Sequence, residues 1–139
     1  MIAIGGLIFF ASTTALNIET DGWHDITGLS LKLPKRGSTF LEALVILNVP
    51  NPFAMGSNYP GAMFAIDVDG TRLDPIAEFS SAFQSPPGAG RSPTTLVAKV
   101  ELSDLAECNI KAVWRKIPGS LRAGLDSASL SAIVGTPPS

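Results

Sequence analysis

The sequence contains one cysteine, Cys108, and one histidine, His24. A lone cysteine excludes an internal disulfide and any cysteine-rich zinc site. A lone histidine excludes a multi-histidine metal centre and leaves one residue for any mechanism that needs an imidazole. Charge is scarce as well. Only 16% of residues are Asp, Glu, Lys or Arg, against roughly a quarter in an average soluble domain. Ten Lys and Arg stand against twelve Asp and Glu. No basic excess is available to displace counterions from phosphates, so a nucleic-acid partner is not expected. No apolar run reaches the roughly 20 residues of a membrane helix, and membrane insertion is not expected either. The longest run, residues 1–11 (MIAIGGLIFFA), resembles the apolar core of a secretory signal, yet no Lys or Arg precedes Lys32 to form its basic start. It reads as a buried first strand.

The templates of common enzymes are missing too. There is no G-x-S-x-G elbow, no G-K-[ST] phosphate loop, no H-E-x-x-H and no dinucleotide fingerprint. His24, between Trp23 and Asp25, has a structural reading at a strand edge and a catalytic one with Asp25 and a distant Ser. The structural one is simpler. Carboxylate-only chemistry such as glycoside hydrolysis stays open, although no spacing marks an acid pair. Cys108 reads as a small core or edge residue. Asp67, Asp69 and Thr71 fall on ligand positions of a calcium loop, but Arg72 sits where that loop requires glycine. The simpler reading is a hairpin turn in which Asp69-Gly70 supplies positive φ. No metal or cofactor is expected.

What remains is apolar and densely punctuated. The chain has 139 residues, 45% of them hydrophobic, with 13 Gly and 11 Pro. That is one domain's worth, taken as residues 1–135 with a short tail at 136–139, and too apolar for disorder. So little charge on a small domain also points to self-association. Eight short apolar stretches lie between turn signals: Ile2–Ser12, Ile26–Leu33, Leu41–Val49, Ala62–Val68, Ile76–Phe83, Thr94–Leu102, Ile110–Ile117 and Ser129–Val134. Leu29, Leu31 and Leu33 alternate with Ser30 and Lys32, and Leu96, Ala98 and Val100 alternate with Val97, Lys99 and Glu101. Two stretches carry a helical stripe instead. Ala106, Ile110, Val113 and Ile117 follow an Asp104/Glu107 capping-box spacing, and Leu41, Leu44 and Leu47 follow Ser38. The density of turns around both favours strands, giving an all-β antiparallel sandwich or jelly roll.

Two segments are unusual for a plain scaffold. Residues 48–61 (NVPNPFAMGSNYPG) read as a long loop with two aromatics and several amides and hydroxyls. Residues 80–91 (SSAFQSPPGAGR) are hydroxyl-rich and close a Gly-rich turn on Arg91. Neutral polar groups, an apolar wall and one guanidinium are what sugar recognition requires. The alternative is that these loops turn corners and Arg91 is solvated.

The stretches Asp25-Ile26 with Gly28-Leu29, Val45-Ile46-Leu47-Asn48-Val49-Pro50, Pro52-Phe53-Ala54, Pro60-Gly61 and Phe64-Ala65-Ile66 run in order along the chain. Gly90-Arg91, Thr95-Leu96-Val97-Ala98, Trp114, Gly119-Ser120 and Ala128-Ser129-Leu130-Ser131-Ala132-Ile133 continue the series to Gly135-Thr136. At near-constant spacing they resemble the TNF-like, fucose-binding N-terminal domain of the Burkholderia cenocepacia superlectin family. The resemblance implies a jelly-roll protomer, a three-fold homotrimer and calcium-independent binding of fucosylated glycans in pockets between protomers. It implies no catalysis, and an extracellular or cell-surface location. It also assigns both helix-like stretches to strands. The family's pocket arginine corresponds to Arg91, and a Thr-Tyr pair to Ser80-Ser81. Two pocket tyrosines correspond to Phe53 and Met63, and a Ser-Thr pair to Gly88-Ala89. The second sugar-binding arginine corresponds to Pro118, which has no side-chain donor. Arg115 and Arg122 are the candidates to supply a guanidinium from nearby. A trimeric structural or protein-binding jelly roll with a degenerate sugar site is the alternative reading.

Overall fold

The computed structural model describes residues 7–37, 41–56, 60–80 and 93–135. Among them are eleven strands and no helix: β1 (Leu7–Thr13), β2 (Leu16–Ile18), β3 (His24–Leu33), β4 (Glu42–Val49), β5 (Pro52–Gly56), β6 (Gly61–Val68), β7 (Thr71–Ser80), β8 (Thr94–Glu101), β9 (Cys108–Lys116), β10 (Ser120–Leu125) and β11 (Ala128–Gly135). Every pairing is antiparallel. The sheets run β1-β11-β4-β8, β3-β9-β6-β7 and β2-β10-β5. With the small third sheet set aside, the other eight strands, renumbered in chain order, lie as 1-8-3-6 and 2-7-4-5. That is the connectivity of a jelly roll.

The period-two pattern explains the layers. On β8, Leu96, Ala98 and Val100 are buried while Val97, Lys99 and Glu101 face solvent, as their alternation predicts. On β3, Leu29, Leu31 and Leu33 are buried as expected, and Ile26 is buried out of phase with them. Gly28, at φ 92°, and a register shift between Asp25 and Ser30 absorb that extra residue as a bulge. Both helix-like stretches are strands, β4 and β9. Asp69 (φ 50°) and Gly70 (φ 89°) form the two-residue hairpin turn joining β6 to β7. Asp69 Oδ1 accepts a 2.8 Å bond from the Asn109 amide, which ties the turn to β9.

The core closes on two aromatics from neighbouring strands. Phe64 and Trp114 are cross-strand partners, both essentially inaccessible, with ring centroids 6.1 Å apart. Val45, Leu47, Leu96, Leu130 and Ala132 complete it from the opposite sheet. Cys108 is buried at its edge, and burial, followed by the nearby Asp69 charge, pushes its thiol up, away from nucleophile chemistry.

Two expectations need correction. The first strand is not buried. β1 is an edge strand with Ile8 74% and Phe10 66% exposed, because its outward face has no layer over it; residues 1–6 lie outside the described residues. The chain also has three strands beyond the eight stretches, β2, β5 and β10, and together they make the small sheet.

Beside that sheet the buried Lys116 is held at both ends of its reach. Its Nζ donates to Asp21 Oδ1 (2.7 Å) and to the Ser120 carbonyl (2.8 Å). Ser120 Oγ in turn accepts from the Gly61 amide at 3.0 Å, so β6, β9, β10 and the loop before β3 meet at one ammonium. The Lys116 hydrogen bond and charge hold the Asp21 carboxyl below its ordinary range.

Two outcomes are expected. Trp114→Ala should destabilise the protein by about 3–5 kcal/mol, read from denaturant midpoints, through the cavity it leaves. Asp21→Asn should unfold at a lower temperature than the parent at neutral pH. A depressed carboxyl stabilises above its unfolded range and loses that contribution as pH falls through its folded pKa. Melting curves of the two proteins should therefore converge in acid.

Candidate functional site

Of the seven residues expected in a sugar pocket, Ser81, Gly88, Ala89 and Arg91 lie outside the described residues. Ser80 closes β7 with its backbone paired to Gly61, and its side chain is likewise outside the description. Phe53 and Met63 are described, on different sheets. Phe53 is on β5 in the small sheet, and Met63 is on β6 in the sheet that contains Trp114.

Each has an arginine beside it. Met63 and Arg115 are cross-strand partners on β6 and β9. The Arg122 guanidinium lies 5.9 Å from the Phe53 ring centre. Pro118 is neither near-substitute nor accident. It opens the turn Ile117–Ser120, closed by a 2.9 Å bond from the Ser120 amide to the Ile117 carbonyl, with Gly119 at φ 97°. Proline followed by a positive-φ glycine is the signature of a type II turn, so residue 118 serves the backbone.

Around Phe53 the outward face of the small sheet is built from three strands. Phe53 pairs with Gly124, which pairs in turn with Asn17 on β2. The phenyl ring lies against the Gly124 backbone, and a Cβ at that position would overlap ring atoms Cζ and Cε1 and crowd Asn17 Oδ1. Arg122 stands two residues along β10 from Gly124, on the same face, its Nη2 donating to the Met55 sulfur at 2.9 Å. Its Nε is buried without a hydrogen-bond partner. Beside it an open depression of about 400 Å³ is lined by Glu19, Met55, Leu121 and Arg122. Glu19, Asn17 and Gly124 were missed by sequence reasoning; three strand pairings bring them together, and no local motif marks them.

The outward face of β3-β9-β6-β7 carries a second cluster. The Arg72 guanidinium sits 4.5 Å above the Trp23 ring and that of Arg115 at 5.9 Å. Trp23 precedes β3 and Arg72 is on β7, the two edges of the sheet, roughly 14 Å apart at the usual strand spacing. The indole and the arginine therefore reach toward each other across β9 and β6, where the outward-facing Ala65 and Val113 are buried. Lys111 bridges Asp25 at 3.0 Å and Asp67 at 3.9 Å, and the Asp25 hydrogen bond and charge raise its ammonium above the ordinary range. This is a packed layer of ion pairs and cation–π contacts.

His24 is engaged locally, with Nε2 3.0 Å from Thr20 Oγ1 and 3.2 Å from its carbonyl oxygen. Among the described residues no group of three or more His, Cys, Asp or Glu is placed to hold a metal ion. No helix among them is long and apolar enough to cross a membrane.

No match was found among curated protein sequences. Among solved structures, the chain is similar to the infectious bursal disease virus VP2 subviral particle (TM-score 0.53, 9% identity, 94% of this chain and 33% of that one). It is similar to the EclA C-terminal domain, described as a sugar-binding protein (TM-score 0.50, 13% identity, 85% and 78%). It is also similar to latent PorU from Porphyromonas gingivalis (TM-score 0.50, 9% identity, 97% and 13%). The chain thus spans a third or less of VP2 and PorU. At such identities these likenesses establish the fold alone. The sequence match goes further: residues 13–133 fit the family described as Bc2l-C, N-terminal domain, and the chain belongs to that family.

Proposed function

We propose that the protein is a lectin that binds fucosylated or related glycans without catalysis, in pockets between the protomers of a homotrimer. The observation that carries this reading is the family match over residues 13–133, which spans every residue of the expected pocket. The jelly-roll fold, shared with a sugar-binding protein, accords with it. Arg91 is the main hydrogen-bond donor in this reading, Ser80 and Ser81 are polar partners, Phe53 and Met63 form the apolar wall, and Gly88 and Ala89 line the turn. Single sites for shallow polar ligands bind weakly, and three on one particle gain avidity on a glycosylated surface.

The free face of β1-β11-β4-β8 supports self-association. Ile8, Ile133 and Leu44 form one cross-strand row, and Phe10, Ser131, Ile46 and Val97 the next. Ile8, Phe10, Leu44, Val97 and Ile133 are all more than 40% exposed. An apolar band of this kind marks an interaction surface. We assign it to the contact between copies.

A second reading, a trimer that contacts protein through a decayed sugar site, is favoured by Pro118. The type II turn holds that position for backbone geometry and offers no donor.

A glycan array run with and without chelator tests the function. Chelator-resistant binding to fucosylated structures is expected, and Arg91→Ala should remove the array signal while leaving the assembly mass unchanged. Undiminished binding in that variant would overturn the site assignment, and a blank array would favour the second reading. For the assembly, light scattering should give three times the chain mass for the parent and a single chain for Leu44→Glu. A monomeric parent rejects the trimer.

A further inference from the structure

We propose that the outward face of the small sheet is a saccharide subsite complete within one protomer, taking a neutral sugar through Arg122 and Glu19. The proposal rests on the lectin reading and extends it to residues outside the expected pocket, with which it shares only Phe53.

Three observations converge there. The first is a weakly engaged donor. The Arg122 Nη2 donates to a thioether, one of the weakest acceptors a protein has, so a sugar oxygen would replace it at little cost. The guanidinium is planar and offers parallel N–H groups, the geometry that two adjacent oxygens accept together. Vicinal sugar hydroxyls present that pair.

The second is the complementary acceptor. Glu19 lines the same depression as Arg122, so a hydroxyl group that accepts from the guanidinium has a carboxylate within the site to donate to. Sugars need both functions because each hydroxyl is donor and acceptor at once. The pairing also selects charge. A carboxylate or phosphate ligand would face Glu19, whereas a neutral ring meets a site whose own two charges cancel.

The third is the wall. Leu121 is 73% exposed and Met55 50% exposed, both line the depression with Arg122, and the Phe53 ring centre is 5.9 Å from the Arg122 guanidinium. An exposed leucine and methionine beside an arginine fork give an apolar surface for the C–H face of a pyranose. The depression, about 400 Å³, falls within the roughly 300–1,000 Å³ of small-molecule sites.

The test is amide-resolved NMR titration of the full chain with millimolar methyl α-L-fucopyranoside, methyl α-D-mannopyranoside, methyl β-D-galactopyranoside and sialyllactose. At least one neutral glycoside should shift the Glu19 and Leu121 signals, in the parent and equally in Arg91→Ala. Arg122→Ala should weaken that response at least tenfold, Arg122→Lys less, and Glu19→Gln should weaken it with the fold undisturbed, since Glu19 is exposed. Sialyllactose should leave these signals in place. Glycoside binding that Arg91→Ala abolishes, or that leaves Glu19 and Leu121 unmoved, overturns the subsite and spares the lectin. The same holds if neither Arg122→Ala nor Glu19→Gln changes the response, or if sialyllactose shifts the same signals. If no glycoside shifts any signal and the array is blank, both readings fall.

Discussion

The register of β6 against β9 is the constraint on which the rest depends. It places Phe64 on Trp114 in the core, where the stacked pair is sealed from water. Because side chains alternate along both strands, the same register places Met63 on Arg115 on the opposite face. A slip of one residue would exchange the two pairs, burying a guanidinium and exposing an indole. The interior therefore determines where surface groups stand, and packing energy is what holds Met63 and Arg115 in position. Lys116 adds to this at the strand's end, where its ammonium fastens the β9–β10 turn to the loop before β3.

The protein's low charge is explained by its surfaces rather than by its core. One sheet face carries a polar skin of ion pairs, with Lys111 between Asp25 and Asp67 and two arginines over Trp23. The opposite face, across β1-β11-β4-β8, presents isoleucine, leucine, phenylalanine and valine in adjacent rows. That asymmetry gives the sandwich a polar side and an apolar one. Among the described residues of that face, charge enters at β8, where Lys99, in the row of Ile8, Ile133 and Leu44, pairs with Glu42 at 3.0 Å.

Much of the fold was legible because strands with one buried face announce themselves. Leu96, Ala98 and Val100 on β8 alternate cleanly, and so do Leu29, Leu31 and Leu33 on β3. The small sheet was not legible, for identifiable reasons. β5 begins at Pro52, which reads as a breaker, yet proline is permitted at the first position of an edge strand. β2 has three residues and no alternation to detect, and β10 contains Gly124, which reads as a turn. The exposed side of β1 was misjudged because an apolar run reads as burial, while no described element of the chain covers that side. At the candidate site, Phe53 and Met63 were proposed through family resemblance and Arg115 and Arg122 through proximity in sequence. Asn17, Glu19 and Gly124 lie at distances along the chain that only the folded pairing removes.

Gly124 ties together two positions far apart in sequence. The Phe53 ring occupies the space that any other side chain at residue 124 would need. A side chain at 124 would therefore displace the Phe53 ring from its present position. Altering the aromatic wall of this sheet is a two-step change whose intermediate is either a clash or a void.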